Sequence, residues 1–162
     1  MAVTKLDYNT DDWNAIVALP VEVSMIISLA SPAMGDMFKE SMALATTVAK
    51  TAEDPGVTGL LADVVAEYKD RETLKKAQPY LDKSSVEAAK DKLLESVREK
   101  VAMLDTTAGA QAMPYKEWLY RVAVATAEAA KEGDFMGIGG VRVNDAEKAA
   151  LAELAAILQV SA

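Results

Sequence analysis

Apolar residues in residues 111–160 recur at helical spacing and set the pattern for the chain: a long helix, an acidic glycine-rich turn and a shorter helix. Tyr115, Trp118, Leu119, Val122, Ala125 and Ala129 share one face at a period near 3.6, with Thr126 as its polar member. Lys131-Glu132-Gly133 is expected to end this helix, because glycine accepts the left-handed backbone that closes helices. Asn144-Asp145-Ala146-Glu147 opens the next one. An N-cap residue followed three positions later by glutamate has the spacing of a capping box. The apolar face of this second helix is Ala150, Leu151, Leu154, Ala155 and Leu158.

The earlier part of the chain repeats these signals. Residues 1–10 read as an extended lead-in, and Thr10-Asp11-Asp12 as a cap for a short helix over 13–18. Pro20 suits the first turn of a new helix over 20–30. A single kinked helix is the alternative. Ser31-Pro32 opens a helix to residue 53, with Met34, Met37, Phe38, Ser41, Ala45, Val48 and Ala52 facing inward, and Asp54-Pro55-Gly56 stops it. Thr58 or Gly59 starts a helix through Leu60, Leu61, Val64, Val65 and Tyr68. A short helix fits 72–78, ahead of Pro79. Ser84-Ser85-Val86-Glu87 caps a long helix carrying Val86, Leu93, Leu94, Val97, Val101 and Leu104, and Thr106-Thr107-Ala108-Gly109 breaks it.

The two halves resemble each other. Phe38-Lys39-Glu40 and Tyr115-Lys116-Glu117 stand 77 positions apart, as do Gly56 and Gly133. The expected architecture is all-α: a single domain over 1–162, a compact bundle of six to eight helices, with pseudo-repeats at 11–70 and 84–160 related by a pseudo-two-fold axis. Composition agrees. The chain is 51% apolar but only 6% aromatic, and much of the apolar content is alanine, which favours helix.

Charge and missing residue types narrow the function. A net charge of −8 makes nucleic acid and anionic membranes poor partners. No leader peptide is visible, and the longest apolar run, near 23–30, falls short of the ~20 residues that span a bilayer. A cytoplasmic protein without a membrane span is expected. The chain has no cysteine and no histidine. That removes thiol chemistry, disulfides, the usual zinc and haem sites, every Ser-His-Asp or Cys-His arrangement and the commonest general base. A non-enzymatic protein is the consequent expectation.

Acidic turns are the remaining candidate chemistry. One holds Glu53, Asp54 and Gly56; the other holds Glu132, Gly133, Asp134, Asp145 and Glu147. Hard divalent cations such as Ca²⁺, Mg²⁺ or Mn²⁺ take several carboxylate and carbonyl oxygens, which a helix–turn–helix can gather. Capping explains Asn144 and Glu147 equally well, and the field at a helix N-terminus explains Asp145. Gly137-Ile138-Gly139-Gly140 is no phosphate-binding loop, since it follows a helix and lacks the Gly-Lys-Ser/Thr ending. Lys39-Glu40 and Lys116-Glu117 read as solvated helix charges, and Trp13 and Trp118 as core anchors.

The run Trp118-Leu-Tyr-Arg-Val-Ala-Val-Ala-Thr-Ala-Glu-Ala-Ala-Lys-Glu-Gly133, followed by Asn144-Asp-Ala-Glu-Lys-Ala-Ala-Leu-Ala-Glu-Leu-Ala, resembles the TerB-like family of tellurite-resistance proteins. The resemblance covers about a third of the chain. It implies an all-helical fold with internal two-fold pseudosymmetry and clustered carboxylates linked to divalent cations. The family's aspartate before glycine falls on Glu132, with Asp134 as its substitute, and its helix-opening glutamate falls on Glu147. The turn here is longer. In the first half Asp54 matches the aspartate, but Pro55 intervenes and only Asp63 stands in for the glutamate. The implied role is a stress-response module that binds or senses a divalent cation at Glu132, Asp134, Asp145, Glu147 and Asp54. The alternative is a metal-free interaction scaffold, homodimeric or bound to a protein partner, with Phe135, Met136 and Ile138 as its contact surface.

Overall fold

A computed structural model describes residues 2–30, 37–131 and 144–162, with the backbone alone at 37–39, 130 and 131. Among the described residues are seven α-helices and no strand: α1 (Thr10–Ala30), α2 (Met37–Glu53), α3 (Gly59–Glu67), α4 (Arg71–Lys76), α5 (Val86–Thr107), α6 (Ala112–Lys131) and α7 (Asp145–Leu158). The expected all-helical class and helix number hold there.

The centre of the molecule is α1, not the stretch from 111 onward. Every residue from Ile16 to Ser24 is buried, so the middle of this helix has neighbours on all sides. It packs chiefly on α5 and α6, then on α7 and α2. By length and composition alone α1 could cross a bilayer, but 67% of that apolar stretch is buried inside the protein. This helix is longer and more apolar than the run at 23–30 suggests.

Pro20 does not divide α1. Proline removes the N–H that would serve the carbonyl four residues earlier, which here belongs to Ile16. The Tyr115 hydroxyl, from α6, donates to that carbonyl at 2.7 Å. One residue along, the Tyr68 hydroxyl donates to the Val17 carbonyl at 2.6 Å, beside the Val21 N–H. Two tyrosines therefore repair the backbone around the proline, and the helix continues. Its start is set by Asn9 rather than Thr10: the Asn9 side chain accepts from the Asp12 N–H at 2.9 Å.

The remaining caps follow the sequence more closely. Ser85 Oγ accepts from the Ala88 N–H at 2.9 Å. Asn144 and Glu147 close a reciprocal capping box at α7. The N-terminus of α3 is served from a distance, since Gln111 Oε1 accepts from the Leu60 N–H. Gly59 sits at φ +63°, a backbone that strains other residues, and a Cβ there would displace the Gln111 side chain that serves Leu60.

Trp13 and Trp118 anchor the core as expected, at 6% and 1% exposure. Lys116 does not follow its expected solvated role. It is 2% exposed, and its ammonium donates to Asp105 at 2.7 Å and to Gln159 at 3.4 Å, joining the ends of α5 and α7 to the start of α6. Glu40 is also buried rather than solvated, at 4% exposure.

Candidate functional site

A groove of about 850 Å³ lies between α1, α2, α3 and the α4 region. Val21, Met25 and Leu29 contribute from α1, and Val65 and Tyr68 from α3 and its end. From α2 come Ser41, Leu44, Ala45, Val48, Ala49 and Ala52. The expected inner face of α2 is thus correct in direction but incompletely covered: Val48 is buried, whereas Ser41, Ala45 and Ala52 are exposed. Serine and alanine are too short to reach α1 and α3, so the helix faces its neighbours across a gap.

A few polar groups lie in this apolar setting. Ser24 meets Thr126 of α6 at 3.0 Å, and Ser28 donates to the Ser24 carbonyl at 3.1 Å. Glu40 and Lys69 also contribute to the lining. Burial pushes the Tyr68 phenol well above its ordinary range; the Val21 N–H opposes this and the Glu22 charge adds to it. The hydroxyl stays protonated, as its bond to Val17 requires. A volume within roughly 300–1,000 Å³, mostly apolar walls and a small number of fixed polar groups are the usual attributes of a small-molecule site.

A second arrangement lies on another side of α1. Glu22 is 2% exposed. Its Oε1 accepts from Lys100 at 2.6 Å and from Ser96 at 2.9 Å, both on α5. Nothing in the sequence pattern marks Glu22, because its partners stand 74 and 78 positions away.

The acidic residues singled out by sequence have separate fates. Glu132 and Asp134 lie outside the described residues, as do Gly133, Gly137 to Gly140, and the apolar trio Phe135, Met136 and Ile138. Glu147 is buried, with Oε2 accepting from the Asn144 N–H at 3.0 Å while its own N–H donates to Asn144 Oδ1 at 2.8 Å. Asp145 is solvated and lies 3.9 Å from Lys148. Asp54 is exposed and accepts from the Gly56 N–H at 2.8 Å, closing the turn after α2. Asp63 accepts from the Lys5 N–H at 2.8 Å. Among the described residues, no three acidic side chains converge as a cation site.

Comparison with protein-family models, with curated proteins and with solved structures gives no match.

Proposed function

We propose that this chain is a non-catalytic helical binding module whose ligand, a small and mostly apolar molecule, occupies the groove between α1, α2 and α3. The observation that carries this reading is the gap itself: about 850 Å³, walled largely by apolar side chains. The absence of histidine and cysteine from the whole chain supports a binding role over a catalytic one. A TerB-like, stress-associated role belongs to the same proposal and rests on the likeness of residues 118–133 and 144–155.

Titration with cis-parinaric acid, a fluorescent fatty acid, tests it. Ala45 and Ala49 line the groove and are exposed, so tryptophan there fills it without entering the packed core. The expected result is saturable binding that Ala49→Trp abolishes at unchanged thermal stability. Absence of binding, or binding indifferent to Ala45→Trp and Ala49→Trp, would overturn the reading.

Divalent-cation binding at the turn between α6 and α7 stands as a narrower proposal. Glu147 is already committed to a cap and Asp145 faces solvent, so that proposal depends on Glu132 and Asp134.

A further inference from the structure

The Glu22 arrangement borders a second groove, of about 420 Å³, between α1, α5 and the segment that follows α4. Its charge runs against that of the chain. The protein carries −8, yet this groove is lined by three lysines, Lys76, Lys92 and Lys100, and by a single carboxylate, Glu22. Lys92 is shared with Asp82 at 2.7 Å. Lys100 is held by Glu22. Lys76 has no ion pair or hydrogen bond to any described residue. With Asp82 and Glu22 each offsetting one lysine, the cluster keeps a single net positive charge, which suits an anion.

Glu22 adds a second requirement. Both of its hydrogen-bond donors, Ser96 and Lys100, go to Oε1. Oε2 is buried without any partner. A buried carboxylate oxygen left unsatisfied is costly and is rare in folded proteins. A ligand that reaches Oε2 from the groove has to bring a hydrogen-bond donor to Glu22 as well as negative charge to the lysines.

We infer that this groove binds a small oxyanion that still carries a proton, of the hydrogen phosphate type. Its O–H donates to Glu22 Oε2, and its charged oxygens lie toward Lys76, Lys92 and Lys100. A fully ionised oxyanion of the same shape, such as sulfate, has no proton to donate and sets a lone pair against the carboxylate. Glu22 is thus the selectivity element, and the lysines supply the attraction. This inference is independent of the apolar groove.

Calorimetric titration of the full chain with inorganic phosphate and, separately, with sulfate near neutral pH tests it. Phosphate is expected to bind at least about tenfold tighter than sulfate, the scale of discrimination set by a buried polar group that one ligand satisfies and the other does not. Glu22→Gln retains an acceptor for Ser96 and gains an N–H that can serve sulfate, so the preference is expected to vanish. Lys76→Ala, at an exposed and unpaired position, is expected to weaken phosphate binding several-fold at unchanged thermal stability. Equal affinity for the two ions in the unsubstituted protein would reduce the groove to a lysine patch and overturn the inference. So would no phosphate binding, or a phosphate preference that survives Glu22→Gln. If Glu22→Gln does not fold, the phosphate–sulfate ratio and Lys76→Ala still decide.

Discussion

The Tyr115 hydroxyl donates at 2.7 Å to the carbonyl of Ile16, the one carbonyl in α1 that Pro20 deprives of its helical donor. Tyr115 is fully buried and 99 positions away along the chain. The central helix thus depends on the second half of the sequence for its continuity. Tyr68 performs the neighbouring repair from α3's end. Because α1 forms part of both grooves, its continuity fixes the relative positions of Val21, Glu22 and Ser24.

Tyr115→Phe should expose the cost of that missing donor. It removes the hydroxyl and leaves the buried Ile16 carbonyl unsatisfied, a loss of about 1–3 kcal/mol. In a Pro20→Ala background the alanine N–H can serve Ile16, so the same substitution should cost distinctly less. A double-mutant cycle by urea unfolding measures the difference. Equal costs in both backgrounds would mean that Tyr115 matters only for its packing.

The buried phenols set an alkaline limit. Burial is the main cause that raises Tyr115, with Tyr68 and Glu22 adding to it, and burial likewise raises Tyr68. Both groups keep their protons when folded and lose them near pH 10 when unfolded. Their contribution to stability is therefore complete below pH 10 and declines as pH rises from there toward the folded values. For the fully buried Tyr115 the slope is about 1.4 kcal/mol per pH unit. Unfolding free energy measured across this alkaline range should fall less steeply in Tyr115→Phe.

Local chemistry made much of the fold legible. Ser85 and the Asn144–Glu147 pair signal helix starts because a cap uses residues three positions apart. The apolar faces of α3, α5 and α7 read correctly for the same reason, that a helix repeats within a few residues, except at Val86, which the first turn of α5 leaves 43% exposed. Pro20 was ambiguous because its remedy comes from Tyr115 and Tyr68, beyond any local window. Lys116 and Glu22 were invisible as buried charges, since charge type alone does not reveal a partner 11 or 78 positions away. The α2 face was read as core because spacing reports direction and not whether serine and alanine reach across.

Lys100 and Lys116 should respond differently to the same replacement. Lys100→Met strands Glu22, whose side chain is 3% exposed, as an uncompensated buried charge. The expected loss is about 3–5 kcal/mol, largely recovered by adding Glu22→Gln. Lys116→Met leaves Asp105, whose side chain is 34% exposed and can return to water. That change should cost about 1 kcal/mol or less. Comparable losses at both positions, by urea unfolding, would show that partner burial does not govern the outcome.

Glu147 separates capping from cation binding in one experiment. Glutamine keeps the acceptor that receives the Asn144 N–H, so Glu147→Gln preserves the capping box while removing the charge. Asn144→Ala removes the other half and should cost about 1 kcal/mol, lowering the thermal midpoint by about 2–4 °C. If capping is the whole role of Glu147, as its bond to Asn144 leads us to expect, Glu147→Gln should change the midpoint little. Millimolar Ca²⁺, Mg²⁺ or Mn²⁺ should then act alike on both proteins, raising both midpoints where Glu132 and Asp134 hold an ion and neither where they do not. A cation held by Glu147 would instead raise the midpoint of the unsubstituted chain and not of the variant, because an ion bound only to the folded state stabilises it by mass action.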